Sequence, residues 1–254
     1  MGLLEIQRLS LCFGGIVALD KVDMTVQKGE LHAVIGPNGA GKTSLFNCLC
    51  GIYRPTGGDI LLDGKSIAAL KPHHIGKLGV ARTFQNIELF AQMTVIDNLL
   101  LGRHLHMHSG PFSGALFFGK ALEEELDNRR KVEEIIDFLE IEKVRKKPVG
   151  TLPYGIRKRV ELGRALAMDP RILLLDEPVA GMNLEETEDI ARFVLDIQEE
   201  MGTTIIMVEH DMGVVMDIAD RITVLDFGVK IAEGSPVEIQ RNPRVILAYL
   251  GEEQ

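Results

Sequence analysis

Apolar and polar residues alternate along Leu3–Leu11 and again along Ile16–Val26, the two-residue period of strands with one buried face. Phe13-Gly14-Gly15 supplies the turn between them, so the N-terminus predicts a half-buried antiparallel sheet. The period then changes. Leu31–Ile35 is an unbroken apolar strand, and Lys42–Cys50 reads as a helix closed by Gly51. Ile60–Leu62 runs into a tight Asp63-Gly64 turn, and Gly79–Phe84 is a short strand ending at Gln85. From about Asn86 helical spacing takes over. Met93–Leu101, Lys120–Leu139 and Gly155–Met168 are helices, the second apolar at Val132, Ile135, Ile136 and Leu139. Arg171–Leu175 is a continuous apolar strand, typical of a parallel sheet covered on both faces. A helix at Leu184–Met201, a strand at Thr203–Val208 and a short helix at Met212–Ala219 follow. Ile222–Leu225 and Val229–Glu233 form a hairpin around Phe227-Gly228, and two short helices end the chain, the second after Pro243.

This order predicts one α/β domain. Residues 1–85 and 165–254 form a core of mixed sheet with an N-terminal antiparallel β subdomain, and residues 86–164 an inserted helical lobe. Gly36-Pro37-Asn38-Gly39-Ala40-Gly41-Lys42-Thr43-Ser44 joins the first buried strand to its helix and fits the P-loop pattern. Glycines let successive backbone N–H groups curl inward around phosphate oxygens. Lys42 supplies a mobile charge for the β- and γ-phosphates, the Thr43 hydroxyl a ligand for Mg²⁺, and the helix start a positive dipole end. The core is therefore a P-loop NTPase. A second element narrows the chemistry. Ile172–Asp176 is an apolar strand ending in an acid, the Walker B pattern, whose carboxylate holds Mg²⁺ through water. Glu177 follows at once, placed to orient or deprotonate an attacking water, which favours hydrolysis over transfer to a substrate.

Composition trims the alternatives. A net charge of −9 argues against a nonspecific grip on nucleic acid. There is no run of eighteen apolar residues for a membrane span, and Met1–Arg8 has no signal-peptide pattern. Three cysteines, Cys12, Cys48 and Cys50, give no disulfide framework and point to a reducing cytosol; the last two suit core packing better than metal binding.

The ordered set Gly36–Ser44, Gln85, Leu152-Pro153-Tyr154-Gly155, Leu175-Asp176-Glu177-Pro178 and His210 resembles an ABC transporter ATP-binding subunit over nearly the whole chain. The resemblance implies the ABC ATPase fold, ATP as substrate with ADP as product, Mg²⁺ as cofactor, and head-to-tail pairing with a second ATPase subunit, identical or paralogous. It implies that Phe13 stacks on adenine and that Asn38, Gly39, Ala40, Gly41, Lys42, Thr43 and Ser44 hold the phosphates. Thr43, Gln85 and Asp176 serve the metal, and Gln85 also reports to the membrane partner. Glu177 is the base, and His210 grips the γ-phosphate. Tyr154 and Gly155 face the ATP of the opposite subunit, and Ala180–Asn183 crosses the dimer interface. One departure stands out: the signature Leu-Ser-Gly-Gly-Gln is here Leu152-Pro153-Tyr154-Gly155-Ile156. Pro153 has neither hydroxyl nor N–H to offer, so one donor is lost from the composite site.

Asn47–Gly58, Arg82–Asn86, Met93–Val95, Glu209–Met212, the insertion near Ser109–Gly119 and the ending Ala248–Gly251 further resemble the ATPase subunit of branched-chain amino acid importers. Related ATPases for urea-type amides and for lipopolysaccharide export share many of these segments. The implied setting is cytoplasmic, peripheral on the inner face of the cell membrane, against transmembrane permease subunits, with a periplasmic or extracellular binding protein as an indirect partner and no nucleic acid. An ABC ATPase of DNA or ribosomes needs two cassettes or a long coiled-coil insert, a kinase would not carry Glu177 beside the Walker B acid, and a GTPase needs Asn-Lys-x-Asp. Three weaker features remain. His104, His106 and His108 alternate as metal ligands do, against a solvated loop. Lys143–Lys147 reads as a helix end near the negative dipole pole, against a lipid-headgroup contact. Phe112–Phe118 either touches a membrane partner or packs on the lobe.

Overall fold

The computed structural model describes residues 2–83, 87–106 and 120–250. It divides into two compact units, Met1–Arg82 with Arg171–Gln254, and Thr83–Pro170.

The first unit holds two sheets. Strands β1 (Leu4–Phe13), β2 (Ile16–Val26), β4 (Gly57–Leu62) and β5 (Lys65–Ser66) make an antiparallel sheet in the order β2-β1-β4-β5. The alternation seen in the sequence is the burial pattern: Leu4, Ile6, Leu9 and Leu11 of β1 and Leu19, Val22, Met24 and Val26 of β2 are all buried. The β1–β2 register shifts between Ile6 and Leu9, and Arg8 and Lys21 take positive φ nearby, as bulged strands do.

The second sheet has six strands in the order β10-β9-β3-β8-β7-β6. These are β3 (Leu31–Ile35), β6 (Val80–Arg82), β7 (Ile172–Asp176), β8 (Thr204–Val208), β9 (Arg221–Asp226) and β10 (Val229–Gly234). All neighbours are parallel except β9–β10, a hairpin. Strands β3, β7 and β8 are buried at every position, which explains their unbroken apolar runs. Helix α1 (Lys42–Leu49) buries Leu45, Phe46 and Leu49 in the core that also takes the inner faces of β1, β2 and β4. Helix α2 (Pro72–Lys77) has no counterpart in the sequence reading. It shows no apolar period, and Pro72 at its first turn was its one signal.

In the second unit α3 (Val95–Gly102), α4 (Lys120–Phe138) and α5 (Tyr154–Leu166) pack together. Of the four apolar positions read from the sequence, Val132, Ile135 and Ile136 lie on α4 and Leu139 in the turn just after it, and all four are buried. Gly163 of α5 lies where a Cβ would come 2.9 Å from Leu139 and 3.3 Å from Leu99. Asn98, buried, ties down the loop before α3: it accepts from Phe90 N and donates to the Phe90 and Thr94 carbonyls.

The basic run Lys143–Lys147 is not the end of α4, which stops at Phe138. It begins inside a 3-10 turn at Glu142–Val144, continues past its end and works through its backbone: the Arg145 and Lys147 carbonyls accept the N–H groups of Ile96 and Val95 and so cap α3. His104 lies exposed in a 3-10 turn over Arg103–His106, not in an extended segment. His108, Phe112–Phe118, most of the 103–119 insertion and Gly251 lie outside the described residues.

The remaining helices belong to the first unit. α6 (Leu184–Met201), α7 (Met212–Ile218), α8 (Pro236–Gln240) and α9 (Pro243–Leu250) follow the strands at the spacing the sequence reading gave.

Candidate nucleotide site

Three parallel neighbours set the site. In the register of the sheet Val208 of β8 lies opposite both Val34 of β3 and Asp176 of β7. The carboxyl ends of these strands therefore fall in one row, the edge where open α/β sheets bind ligands. From that row come the Gly36–Ser44 loop, the Asp176-Glu177 pair and His210.

Packing dictates the loop. Gly36 has φ +149, and a Cβ there would meet the Leu225 carbonyl at 2.0 Å. Gly41 has φ +101, and a Cβ there would meet the Ala18 carbonyl at 2.6 Å. Both need glycine on conformation and on space. Gly228, in the β9–β10 turn, donates to the Ala40 carbonyl at 3.0 Å and so ties that hairpin to the loop. Asn38, Gly39 and Thr43 are exposed, Ser44 half-buried, and Ala40 and Lys42 buried. The Lys42 ammonium donates to the Gly36 and Pro37 carbonyls, the latter at 3.0 Å, and so lies inside the curve of its own loop. A phosphate oxygen fits the same donors.

Asp176 ends β7 with its carboxylate buried. Arg82, at the end of β6, donates from Nη2 to Asp176 Oδ2 at 2.5 Å and from Nη1 to Asn47 Oδ1 at 2.7 Å, its guanidinium 5.6 Å from the Phe46 ring centre. This arginine thus links the acid to α1. In the sequence Arg82 stands only as the first residue of the Arg82–Asn86 segment; its signal there is a charge closing a buried strand. Beside it, burial pushes the Cys48 thiol up to about 12, with the Cys50 thiol adding to the shift. Burial also raises Cys50, against the pull of Arg82. Thiols held protonated suit packing, and Cys48 sits in the core.

Glu177 takes φ +50, an uncommon conformation for a side chain of its size. Its N–H donates to the Val208 carbonyl at 2.8 Å, which locks the exit of β7 to that of β8. Its Oε1 lies 3.3 Å from His210 Nδ1. Ala180 and Met182 then turn back on Glu177 and Val179, and α6 opens with a capping box between Asn183 and Glu186.

Phe13, 45% exposed, closes β1 opposite Ile16. The Tyr53 ring meets it edge-on, centroids 5.1 Å apart at 76°. Tyr53 went unremarked in the sequence, where nothing marks a contact forty residues away. Tyr154 and Gly155 open α5 in the other unit, after Pro153, which caps the helix with no side-chain bond; the Arg157 guanidinium lies 5.8 Å from the Tyr154 ring centre. Gln85 lies outside the described residues.

Thr43 and Asp176 offer a hydroxyl and a carboxylate, hard oxygen donors of the kind Mg²⁺ takes. A lysine inside a glycine loop, a hydroxyl at the start of its helix and two carboxylates at a neighbouring strand exit are the side chains with which a nucleoside triphosphate hydrolase would hold phosphates and Mg²⁺ and steer water.

Comparison with known proteins bears on the same residues. The pattern of the ABC transporter family matches residues 19–180, and that of the branched-chain amino acid ATP-binding cassette transporters matches residues 229–254. The chain is 43% identical, over 98% of each sequence, to the high-affinity branched-chain amino acid transport ATP-binding protein BraF of Pseudomonas aeruginosa. It matches LivG of Escherichia coli, which carries the same description, to the same extent. Among solved structures, the ADP conformation of an ATP-binding cassette of an ABC transporter shares 32% identity over 99% of both chains, with a TM-score of 0.86.

Proposed function

Since this chain belongs to the ATP-binding family of the ABC transporters, we propose that it is the ATP-hydrolysing motor subunit of an importer for branched-chain amino acids. The observation that carries the ATPase reading is the row at the sheet edge, where the phosphate loop, Asp176, Glu177 and His210 follow three adjacent strands. The substrate class rests on the relatives' names and on the matched C-terminal segment.

ATP lies with its base on Phe13 and its phosphates along the N–H groups of residues 38–44. Lys42 exchanges its own loop carbonyls for the β- and γ-phosphate oxygens. Thr43 and Asp176 hold Mg²⁺, which when bound neutralises charge on those phosphates. Gln85 is assigned to the same metal by resemblance. Glu177 accepts a proton from a water whose oxygen attacks the γ-phosphorus. The bond from that phosphorus to the β,γ-bridging oxygen breaks, and ADP and phosphate leave. His210, in contact with Glu177, holds the γ-phosphate in line. Tyr154, Gly155 and the start of α5 serve the ATP of a second ATPase subunit, identical or paralogous. Binding closes the pair and drives the permease subunits; hydrolysis reopens it. By its family resemblance the motor works peripherally on the cytoplasmic face of the membrane, against its permease subunits. No described helix is long and apolar enough to cross a membrane.

The test is transport by the chain reconstituted in vesicles with its permease subunits and a substrate-binding protein. Leucine uptake that needs ATP on the motor's side is the expected result. Uptake of urea-type amides, or extraction of lipopolysaccharide, in place of leucine overturns the substrate assignment. Absence of phosphate release overturns the ATPase itself.

A further inference from the structure

We propose that Glu209 is a positioning residue for ATP hydrolysis, its buried carboxylate tying the turn that carries Glu177 to the turn that carries His210. This rests on the ATPase reading above.

Glu209 follows β8 directly and is 1% exposed. Three backbone N–H groups converge on it. Val179 donates to Oε1 at 3.0 Å, and His210 and Asp211 donate to Oε2 at 2.9 and 3.2 Å. No cation stands among its partners in the described residues, so these amides are what keep an anionic side chain in the interior. Their placement is what matters. Val179 lies two residues past Glu177, and His210 is the next residue along the chain. The main-chain bond from Glu177 to Val208 already joins the two strand exits. The Glu209 carboxylate adds a second tie one turn further out. Between the two ties Glu177 keeps its positive φ, a conformation that costs on the order of 1–3 kcal/mol and persists only where the surroundings over-determine it. The reward is the 3.3 Å approach of Glu177 to His210.

A carboxylate is required by count. It offers two accepting oxygens, whereas glutamine offers one and turns an NH₂ toward an N–H. Glu209→Gln therefore keeps the shape and breaks the tie to Val179 or the tie to His210 and Asp211. None of these groups lies in the phosphate loop, so the loop keeps its grip on the nucleotide and affinity changes little, while Glu177, and His210 where its tie is the one broken, lose their aim.

The experiment measures the full chain and its variants by nucleotide titration, steady-state phosphate release and thermal melting. For Glu209→Gln we expect ATP affinity within about 2-fold of the parent and kcat lower by about 10²-fold, the loss a displacement of about 1 Å brings. In the Glu177→Gln background the same change should cost far less than it does alone, only what the tie to His210 contributes, because a positioning residue has little effect once the base it positions is gone. If Glu209→Gln does not fold, Glu209→Asp decides instead. Its shorter carboxylate keeps the adjacent His210 and Asp211 amides but does not reach Val179, and the same kcat loss with unchanged affinity is expected. An unchanged kcat in the folded variant, or a double variant slower by the product of the two losses, overturns the inference and leaves the ATPase reading standing. A parent chain that releases no phosphate overturns both.

Discussion

Asp176 and Arg82 form a buried ion pair at the foot of the site, side chains 6% and 9% exposed. Two desolvated charges hold each other, and removing one costs far more than the pair contributes net. Arg82→Met should therefore lower unfolding free energy by about 3–5 kcal/mol, since it strips the guanidinium from a buried carboxylate. Urea unfolding measures this, and a loss below about 1 kcal/mol would show that the acid finds equal support elsewhere. The residues assigned to substrate were legible in the sequence because their spacing is set by local chain geometry: Gly36 to Thr43 is one loop running into the start of α1, and Asp176-Glu177 one strand end. Arg82, Tyr53 and Glu209 were not legible in their roles. Each acts on a residue brought close only by folding, and no local pattern encodes that.

At the scale of elements, α5 starts at a proline with no capping side chain. Serine at an N-cap accepts from the helix amides and is worth about 1 kcal/mol over a residue that cannot. It would also restore a hydroxyl toward the opposite ATP. Pro153→Ser should thus leave unchanged or raise the ATPase rate of a self-paired dimer. A tenfold drop in phosphate release would mean that the φ of −54° fixed by proline is itself required. The β9–β10 hairpin offers a pH test. Burial raises the Glu233 carboxyl, but hydrogen bonds from Lys230 at 2.6 Å and Arg221 at 2.8 Å, with their charges, outweigh it and hold it below the usual glutamate range. A depressed folded pKa gives stability that is present above the unfolded value and lost as pH falls through the folded one. Arg221 is half exposed, so screening limits the gain to about 0.5–1 kcal/mol. Glu233→Gln should melt below the parent at pH 7, with the gap closing below the unperturbed value of 4.5. A gap that does not narrow at all as pH falls below 4.5 would assign the loss to packing. Elements themselves were legible wherever one face is buried, as Val132, Ile135 and Ile136 of α4 illustrate. α2 and the cap on α3 were not, because a six-residue helix has too few turns for a period, and a carbonyl cap leaves no mark on the side chains.

For the whole molecule the consequence of the site is assembly. If Glu177 is the base, Glu177→Gln keeps ATP binding and loses about 10²–10⁴ in turnover, so the ATP-bound pair accumulates. Size-exclusion chromatography with ATP should show a dimer that the parent chain forms only in passing, and unchanged phosphate release would remove Glu177 from the role. The sequence by itself determined the class of chemistry, the order of the elements and which strands are buried on both faces. These follow from periodicity and from loops whose glycines leave one backbone path open, properties a short stretch carries alone. Only the tertiary structure decided that β3, β7 and β8 end in one row, that Arg82 occupies Asp176, and that a buried glutamate spans two turns. Strand order and register join residues more than thirty positions apart, and they arise from the packing of a whole sheet, where no single segment records its neighbours.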